Sequence, residues 1–442
     1  ILVESSKLHL SKKTKKYVEA KRIKKKFPYL DFYFFFIGLF LSGKIFNARK
    51  LVYLKYRDFS IGKHVLSETR RFYNSYNNSI IFFLIRCKIL FSAGRVLNTA
   101  IHLKNHAEAI FVDHLVYVNG LYFEVFFKYK KIIYSNGYPK GFFVIDGKNN
   151  IRNKVHDTSM LFKAKTPKKI SNKQKKLGLN KIKRNLIKPT NIKYMKNVKF
   201  TSLDQNIDFS NVSHVIYAHS FTDAQLVYGV DGFSDTLDWL DFTISKLSKL
   251  KTKIVIKGHP NFYNKKPDEL TKIDNKIFQK IVAKYSSNEN LIFLNSSIRN
   301  YELLKKLNKK TILITHHGTL IFDASIFKYK VITSSQTFYI DKLKLSNTWD
   351  TVDQYERLLS KKYSNLIKNY DKLYNISYGL YYDKYNTNGK NFYIKTIKKY
   401  IKLKGDSLDS IKIDNDLKKL KNFKRRNLFE ELGKTIENVV IN

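Results

Sequence analysis

Short apolar runs of strand length alternate with segments of helical length along the second half of the chain. The sequence predicts five strands, at Val215–Ala218, Ile254–Ile256, Leu291–Leu294, Ile312–Ile314 and Val331–Ile332. It predicts four intervening helices, at Phe233–Leu250, Asp268–Tyr285, Ile298–Leu307 and Leu320–Phe327. Four βα units and a closing strand favour a parallel sheet that is covered by helices on both faces.

The first half carries similar apolar runs at wider spacing. Buried strands are predicted at Leu51–Leu54, Ala109–Val112, Lys131–Tyr134 and Phe142–Ile145. The predicted fold class is therefore α/β, with two Rossmann-like domains facing each other across a cleft. Open α/β sheets bind ligands in such a crevice, at the carboxyl ends of their strands.

A shift in charge divides the two halves. No acidic residue occurs from Thr158 to Leu203, whereas Lys and Arg crowd that stretch. We interpret residues 158–203 as a basic connection or a cationic lip beside the cleft; a solvated linker is the alternative. The expected domains are residues 1–195 and 196–402, followed by a basic tail at 403–442.

Composition limits the classes of protein to which the chain can belong. Its 442 residues include 83 Lys and Arg against 36 Asp and Glu, a formal charge of +47, yet 43% are hydrophobic and 15% aromatic. That apolar content excludes a charge-driven disordered chain. The single Cys87 excludes an internal disulfide framework and suits a reducing compartment. The charge itself has two explanations, attraction to nucleic acid and the codon usage of an AT-rich coding sequence.

One apolar run, Phe32–Leu41, follows the basic Lys24–Lys26. Its ten or so residues are short of the roughly twenty that a spanning helix needs, and a buried or interfacial segment is expected instead. Contact with an anionic membrane surface therefore stays open. The start Ile1–Glu4 lacks the order of a secretory signal. We expect a cytoplasmic protein, with peripheral contact at the inner face of the plasma membrane as an option.

Polar clusters follow three of the predicted strands of the second half. They are His219–Gln225, Lys257–Pro260 and Thr315–Thr319, the last followed by Asp323 one turn further along. Because the carboxyl ends of parallel strands meet at one edge of a sheet, these clusters are expected to converge.

The third cluster is typical of a phosphate and ribose site. Gly318 allows close backbone approach, and Thr315 and Thr319 offer hydroxyls beside the free N–H groups of a helix start. Asp323 is placed to accept hydrogen bonds from ribose hydroxyls. The alternative is that either threonine only caps the helix and that Asp323 is only a first-turn acid.

The second cluster predicts a site for a leaving phosphate. Pro260 stiffens the turn that aims the His259 ring, and a protonated or N–H-donating imidazole there would neutralise developing charge. Lys257 would add to that effect. The alternative is a histidine that is satisfied within its loop.

The first cluster supplies the candidate general base, Asp223, whose alternative role is to brace the loop. Asp231 is a competing acid, and both it and His219 are expected to line the cleft or the acceptor site. Two further acids, Asp235 and Asp238, are expected on the surface of the following helix.

Neither a metal site nor a cofactor is predicted. The adjacent His316 and His317 are expected to diverge, and no spaced carboxylate completes a shell around them. A Gly-x-Gly-x-x-Gly fingerprint is absent, and the nearest approach to a Walker loop has Ile45 where the magnesium-binding hydroxyl should stand. Ordinary ATPases and dehydrogenases are therefore disfavoured.

The three clusters together resemble the C-terminal half of bacterial capsule-polysaccharide-type glycosyltransferases of the GT-B fold. The resemblance rests on VIYAHSFTDAQ, KGHP and ITHHGTLIFDASIFKYKVI, covers roughly residues 212–345, and extends more loosely to Ile61–Arg71 and Asp113–Val125. It implies that His259, Pro260, Gly318 and Thr319 contact the donor phosphate and that an acid at Asp323 holds ribose. The chain departs from the pattern at Asp323, where such families often carry Glu, and at Lys330, where they carry Pro.

The resemblance implies a metal-independent glycosyltransferase that extends or starts a surface or capsular polysaccharide. Its partners would be a nucleotide-sugar donor, with a CMP-linked sugar favoured, and an anionic glycan or glycolipid acceptor. CDP-glycerol-type polyol-phosphate transferases share the His-Pro pattern and are the nearest alternative. A nucleic-acid-binding protein is the alternative from another class; the diffuse charge and the lack of a recognised DNA- or RNA-reading motif disfavour it.

Overall fold

The computed structural model describes residues 2–4, 29–71, 80–106, 109–112, 116–126, 131–136, 141–146, 171–189, 195, 197–198, 200–203, 207–223, 225–226, 229–294, 297–336 and 346–366. The triple lysine at 24–26 and the tail at 403–442 lie outside these residues, as do residues 158–170, 190–194, 196 and 199 of the basic connection.

The described part of the first half forms a mixed α/β unit. Its helices are α1 (Tyr29–Leu41), α2 (Ala48–Leu51), α3 (Gly62–Thr69), α4 (Ile80–His106) and α5 (Gly120–Phe126). Its strands are β1 (Leu2–Glu4), β2 (Lys55–Tyr56), β3 (Phe59–Ser60), β4 (Ala109–Val112), β5 (Lys131–Asn136) and β6 (Gly141–Asp146). One sheet has the order β1-β4-β5-β6 and is parallel except for the antiparallel pair β5 and β6, and β2 pairs with β3 in a hairpin.

The prediction of a strand at Leu51–Leu54 is wrong. The Asn47 side chain accepts a hydrogen bond from the Lys50 backbone N–H at 3.1 Å and so starts α2, which ends at Leu51. The leucines at both ends of this run are buried, as predicted, but in a helix and a turn. A four-residue apolar run is too short for its periodicity to distinguish a buried helix from a buried strand.

The second half follows the predicted alternation closely. Its strands are β7 (Val212–Tyr217), β8 (Lys253–Lys257), β9 (Leu291–Leu294), β10 (Ile312–Thr315), β11 (Lys330–Ser334) and β12 (Asn347–Trp349). The basic connection before it contains helix α6 (Asn172–Ile187), and the helices of the second half are α7 (Thr236–Leu247), α8 (Glu269–Tyr285), α9 (Asn300–Lys306), α10 (Leu320–Ile326) and α11 (Val352–Leu359). The six strands form one parallel sheet in the order β12-β11-β10-β7-β8-β9.

Alternation along the strands builds a core on each face of this sheet. Ile216, Ile256 and Ile314 pack on one face with α7, α8 and α11, whereas Val215 and Val255 pack on the other with α9 and α10. Successive strand residues point to opposite faces, so β-branched runs fill both cores at once. The predicted α/β class is confirmed, with a doubly wound sheet in the second half.

The strand order identifies the place where a ligand would bind. Counted along this half, the strands lie in the order 3-2-1-4-5-6, and the direction of winding reverses between β7 and β10. Doubly wound sheets bind ligands at the carboxyl edge of this switch point. Two of the three polar clusters follow β7 and β10 directly.

Ion pairs connect the halves. The Arg70 guanidinium donates to the carboxylate of Asp235, and both side chains are buried. Arg49 donates to Asp238 at 2.6 Å in a more exposed pair. Asp235 was expected on the helix surface and is instead buried, because it caps the start of α7 by accepting the Asp238 N–H at 2.8 Å.

Among the described helices, none combines the length and the apolarity that crossing a bilayer requires. Helix α1, which contains the apolar run, has 13 residues and is therefore about 20 Å long.

Candidate functional site

The loops after β7, β8 and β10 meet at the switch point through their histidines. The rings of His219 and His317 lie 3.8 Å apart between centroids, and those of His219 and His259 lie 5.5 Å apart. Residues from three separate segments therefore share one patch at the carboxyl edge of the sheet, as the sequence predicted.

His259 is held in one tautomer by its own loop. Its Nδ1 accepts a hydrogen bond from the Asn261 backbone N–H at 3.3 Å and caps the short 3-10 helix Pro260–Tyr263. Burial lowers the pKa of His259 well below its usual value, and the neighbouring His219 and Lys257 add to the shift. A neutral ring with Nδ1 as acceptor carries its proton on Nε2. Of the two predicted forms, N–H donation is favoured over a protonated imidazole.

Lys257 and Asp323 carry opposite charges, and each favours the ionised form of the other. Burial lowers the pKa of Lys257 to about 8, and Asp323 opposes that shift. Burial also raises the pKa of Asp323 to about 6, against a hydrogen bond from Asn300 Nδ2 at 3.0 Å and the charge of Lys257. At pH 7 both groups are therefore mainly ionised. The patch offers a cation for phosphate and a carboxylate acceptor beside it.

The loop after β10 divides into a buried part and an exposed part. Thr315 is buried, and its hydroxyl donates to the His317 carbonyl at 3.3 Å, so this side chain braces the loop. Gly318 has a φ of 137°, a conformation that favours glycine. Thr319 is exposed and makes no side-chain capping bond to the seven-residue helix α10. The alternative that the Thr319 side chain caps this helix is therefore wrong.

Behind this loop lies a buried chain of polar groups. Asp231 Oδ2 lies 3.0 Å from His316 Nε2 and also accepts from the Ser334 hydroxyl, and His316 Nδ1 lies 2.7 Å from His317 Nδ1. Burial raises the pKa of Asp231, but His316 and the hydrogen bonds outweigh burial and lower it overall. The carboxylate therefore stays ionised and holds His316, which in turn holds His317.

This chain corrects two expectations. Asp231 was expected to line the cleft, but His316 and Ser334 engage its carboxylate behind the loop. His316 and His317 were expected to diverge, but they lie in the bend after β10, where strand alternation has ended, and their rings approach each other. Within the described ranges, no set of three or more His, Cys, Asp or Glu side chains is arranged to share a metal ion.

The histidines at the front of the patch are neutral at pH 7. Burial lowers the pKa of His219 to about 4, with His316 adding to the effect and Asp223 opposing it. Burial likewise lowers the pKa of His317 well below its usual value. Neutral imidazoles donate and accept hydrogen bonds without adding positive charge, which Lys257 supplies here.

Asp223 lies where the first half reaches the site. Its carboxylate is exposed and accepts a hydrogen bond from the Tyr117 hydroxyl at 3.2 Å. Tyr117 has a φ of 56°, uncommon for a residue other than glycine, and the Arg71 guanidinium lies 4.4 Å from its ring centroid. Both residues belong to the first-half segments that carry the looser resemblance. Tyr117 was not predicted as a site residue.

A second unpredicted residue, Asp274, braces the loop after β7. Its carboxylate accepts from the Ser220 hydroxyl at 2.5 Å and from the Phe221 N–H at 2.9 Å. Burial raises its pKa to about 6. The sequence held a signal for it, because Asp274 stands among Ile273, Ile277 and Phe278 on the buried face of α8.

Comparison with known proteins gives little beyond the fold. No family model and no curated protein matches the chain. Similar solved structures include KpsC of Thermosulfurimonas dismutans, a beta Kdo 2,4 transferase, at 8% identity and a TM-score of 0.36, covering 62% of this chain and 79% of that one. They also include UDP-GlcNAc 2-epimerase of Methanocaldococcus jannaschii in complex with UDP-GlcNAc and UDP, at 14% identity and a TM-score of 0.29, covering 64% and 79%. Likeness at this level carries no argument about function.

Proposed function

We propose that the protein is a glycosyltransferase that uses a nucleotide-sugar donor and needs no metal ion. The observation that carries the proposal is the gathering of His219, His259, Lys257 and Asp323 at the switch point of a doubly wound sheet. A phosphate there meets one cation and a fixed N–H donor, and a ribose meets a carboxylate. A nucleotide presents both a phosphate and a ribose.

The donor nucleotide would lie along the edge between β8 and β10. His259 Nε2–H and Lys257 would contact the phosphate, with Pro260 fixing the turn. The exposed Thr319 hydroxyl and the backbone at Gly318 would add contacts, and Asp323 would accept from ribose. Thr315 would act by bracing the loop, and Asp231 by holding His316.

The acceptor hydroxyl loses its proton during sugar transfer, and Asp223 is the group proposed to take it. Asp223 would take the proton of an acceptor hydroxyl while that oxygen bonds to the anomeric carbon. The bond from that carbon to the phosphate oxygen would break, and its electron pair would stay on the phosphate. His259 and Lys257 would stabilise the charge that develops there. The Tyr117 bond would orient Asp223, and His219 would lie between base and donor.

The acceptor would be a growing surface or capsular polysaccharide or its lipid-linked form. An anionic glycan suits the strongly basic chain, and the cytoplasm holds the nucleotide donors. The favoured donor base is cytidine, a preference that rests on the sequence resemblance alone.

A nucleotide panel tests the donor. Ligand that binds only the folded protein raises its melting temperature, so CMP, CDP, UMP, UDP and ADP are compared by thermal unfolding. Stabilisation by cytidine nucleotides above the others supports the favoured donor. A preference for UDP redirects the choice of sugar donor, and no stabilisation by any of them contradicts the proposal.

Transfer of radiolabelled sugar from the preferred donor to an oligosaccharide acceptor tests the chemistry. We expect Asp223→Asn to lower kcat by roughly 10²–10⁴-fold, the range for a lost general base, with nucleotide binding unchanged. Asp208→Asn, at an exposed acid that bonds only within its own turn at Ser210, is the matched control. Equal rates for both variants would remove Asp223 from the mechanism. Transfer of a polyol phosphate instead of a sugar would favour the CDP-glycerol-type alternative.

A further inference from the structure

Helix α1 is apolar along its whole length apart from Asp31 in its first turn, yet only one of its faces is covered. Phe32 and Leu39 are buried in the first-half core. Tyr33, Phe34 and Leu41 on the opposite face are 52%, 67% and 77% exposed. A helix that is hydrophobic all round is normally buried on all sides. The outer face of α1 therefore lacks the cover that its composition calls for.

Neighbouring elements extend this outer face into one surface. Phe46, in the short helix after α1, lies 5.8 Å from Phe40 and 4.8 Å from Phe83 between ring centroids. Ile80 and Leu84 are 79% and 58% exposed and lie one turn apart on α4. We call the exposed members of this surface the aromatic patch: Tyr33, Phe34, Phe40, Leu41, Phe46, Ile80 and Leu84.

The charges on and beside these elements are mainly positive. Exposed lysines stand at Lys44 and Lys50 beside the patch in sequence, and Lys88 continues the Ile80 and Leu84 stripe along α4. Over the sequence stretches 29–71 and 80–106 there are twelve Lys and Arg against three acids, Asp31, Asp58 and Glu68. Basic side chains that border an aromatic surface match an anionic lipid headgroup layer.

We propose that the aromatic patch rests on the surface of a bilayer that contains anionic lipid. Monomeric soluble proteins rarely expose a contiguous surface of large apolar groups, and such surfaces mark interaction sites. Aromatic rings are favoured at the headgroup level, and lysines reach past them to the phosphates. The charge complementarity selects the bilayer over a second, equally basic copy of this chain. This attachment is independent of the proposed sugar transfer.

Sedimentation with vesicles tests the attachment, on the full chain. Binding is compared on vesicles of phosphatidylcholine alone and with one quarter phosphatidylglycerol. Phe34→Ser with Leu41→Ser removes two of the most exposed patch residues, and Leu250→Ser, 39% exposed in the second half, is the matched control. Lys44→Ser with Lys50→Ser tests the charge, with Lys249→Ser and Lys251→Ser as its control. Circular dichroism and nucleotide-induced thermal shifts verify that each variant folds and binds as before.

We expect anionic vesicles to bind the wild-type protein and both controls. The patch variant should bind at least about tenfold more weakly, since each large side chain contributes a factor of ten or more on burial. The lysine variant should lose affinity only for anionic vesicles. Equal binding by the patch variant and its control would overturn the proposal, as would no binding at all. A dimer that the patch variant dissociates, with no vesicle binding, would assign the surface to a second copy instead. None of these outcomes bears on nucleotide binding, so the two proposals fail separately.

Discussion

Replacement of Lys257 by methionine should stabilise the protein and weaken its binding of nucleotide. Lys257 is 2% exposed at the end of β8, and burial lowers its pKa from 10.5 to about 8. That difference corresponds to roughly 3 kcal/mol against the protonated form. Methionine fills a similar volume without the charge.

The stability change has a defined dependence on pH. The folded-state pKa of Lys257 lies below the unfolded value, so the penalty is complete below about pH 8 and disappears as the pH rises to 10.5. The charge of Lys257 also favours ionised Asp323, and loss of that support offsets part of the gain. We expect Lys257→Met to raise the free energy of unfolding by about 1–3 kcal/mol at pH 7 and by much less near pH 10.

Nucleotide binding should change in the opposite direction. A charge-assisted hydrogen bond to phosphate contributes about 1.5–3 kcal/mol, so affinity should fall by about 10- to 100-fold. Denaturant unfolding and calorimetric titration with the preferred nucleotide measure the two effects. Lys251→Met, at an exposed loop position before the same strand, should change neither. If Lys257→Met were less stable than the wild type and bound nucleotide equally well, neither the burial penalty nor the phosphate contact of Lys257 would hold.

Three further predictions concern the pH dependence, the contact between halves and the loop after β10. Nucleotide affinity should be highest between about pH 6 and 8, because the Asp323 carboxylate is protonated as the pH falls through about 6 and Lys257 loses its charge as the pH rises through about 8. An affinity that stays constant from pH 5 to 9 would contradict this. Arg70→Met should lower the free energy of unfolding by about 3–5 kcal/mol, because it leaves the buried Asp235 without its partner. Denaturant unfolding measures this change, and a loss below about 1 kcal/mol would show that the ion pair contributes little to stability. Gly318→Ala should destabilise the loop by about 1–3 kcal/mol because φ is 137° there, and nucleotide affinity should fall as well. Unchanged stability and affinity would show that the loop does not depend on the positive φ of Gly318.

The second-half fold was predictable because its signals are local. Every predicted strand and helix there lies within three residues of an observed one at each end. Side chains at helix starts set these ends: Asp268 accepts the Thr271 N–H at 2.8 Å and starts α8. The sixth strand, Asn347–Trp349, was missed because three residues beginning with a polar pair carry no apolar run.

The site was predictable in position and only partly in detail. Strand ends placed His219, His259 and Gly318 at one edge, since topology alone brings those ends together. The hydrogen bond between His316 and His317 depends on a bend that sequence spacing does not encode. The same holds for Tyr117, whose bond to Asp223 joins residues 106 positions apart.

In the proposed mechanism, nucleotide phosphate binds at His259. Calorimetric titration of the wild type and of His259→Ala, with the nucleotide that stabilises the wild type most, tests this claim. We expect His259→Ala to bind at least about tenfold more weakly at pH 7, with its far-ultraviolet circular dichroism unchanged. Equal dissociation constants for the two proteins would contradict the claim.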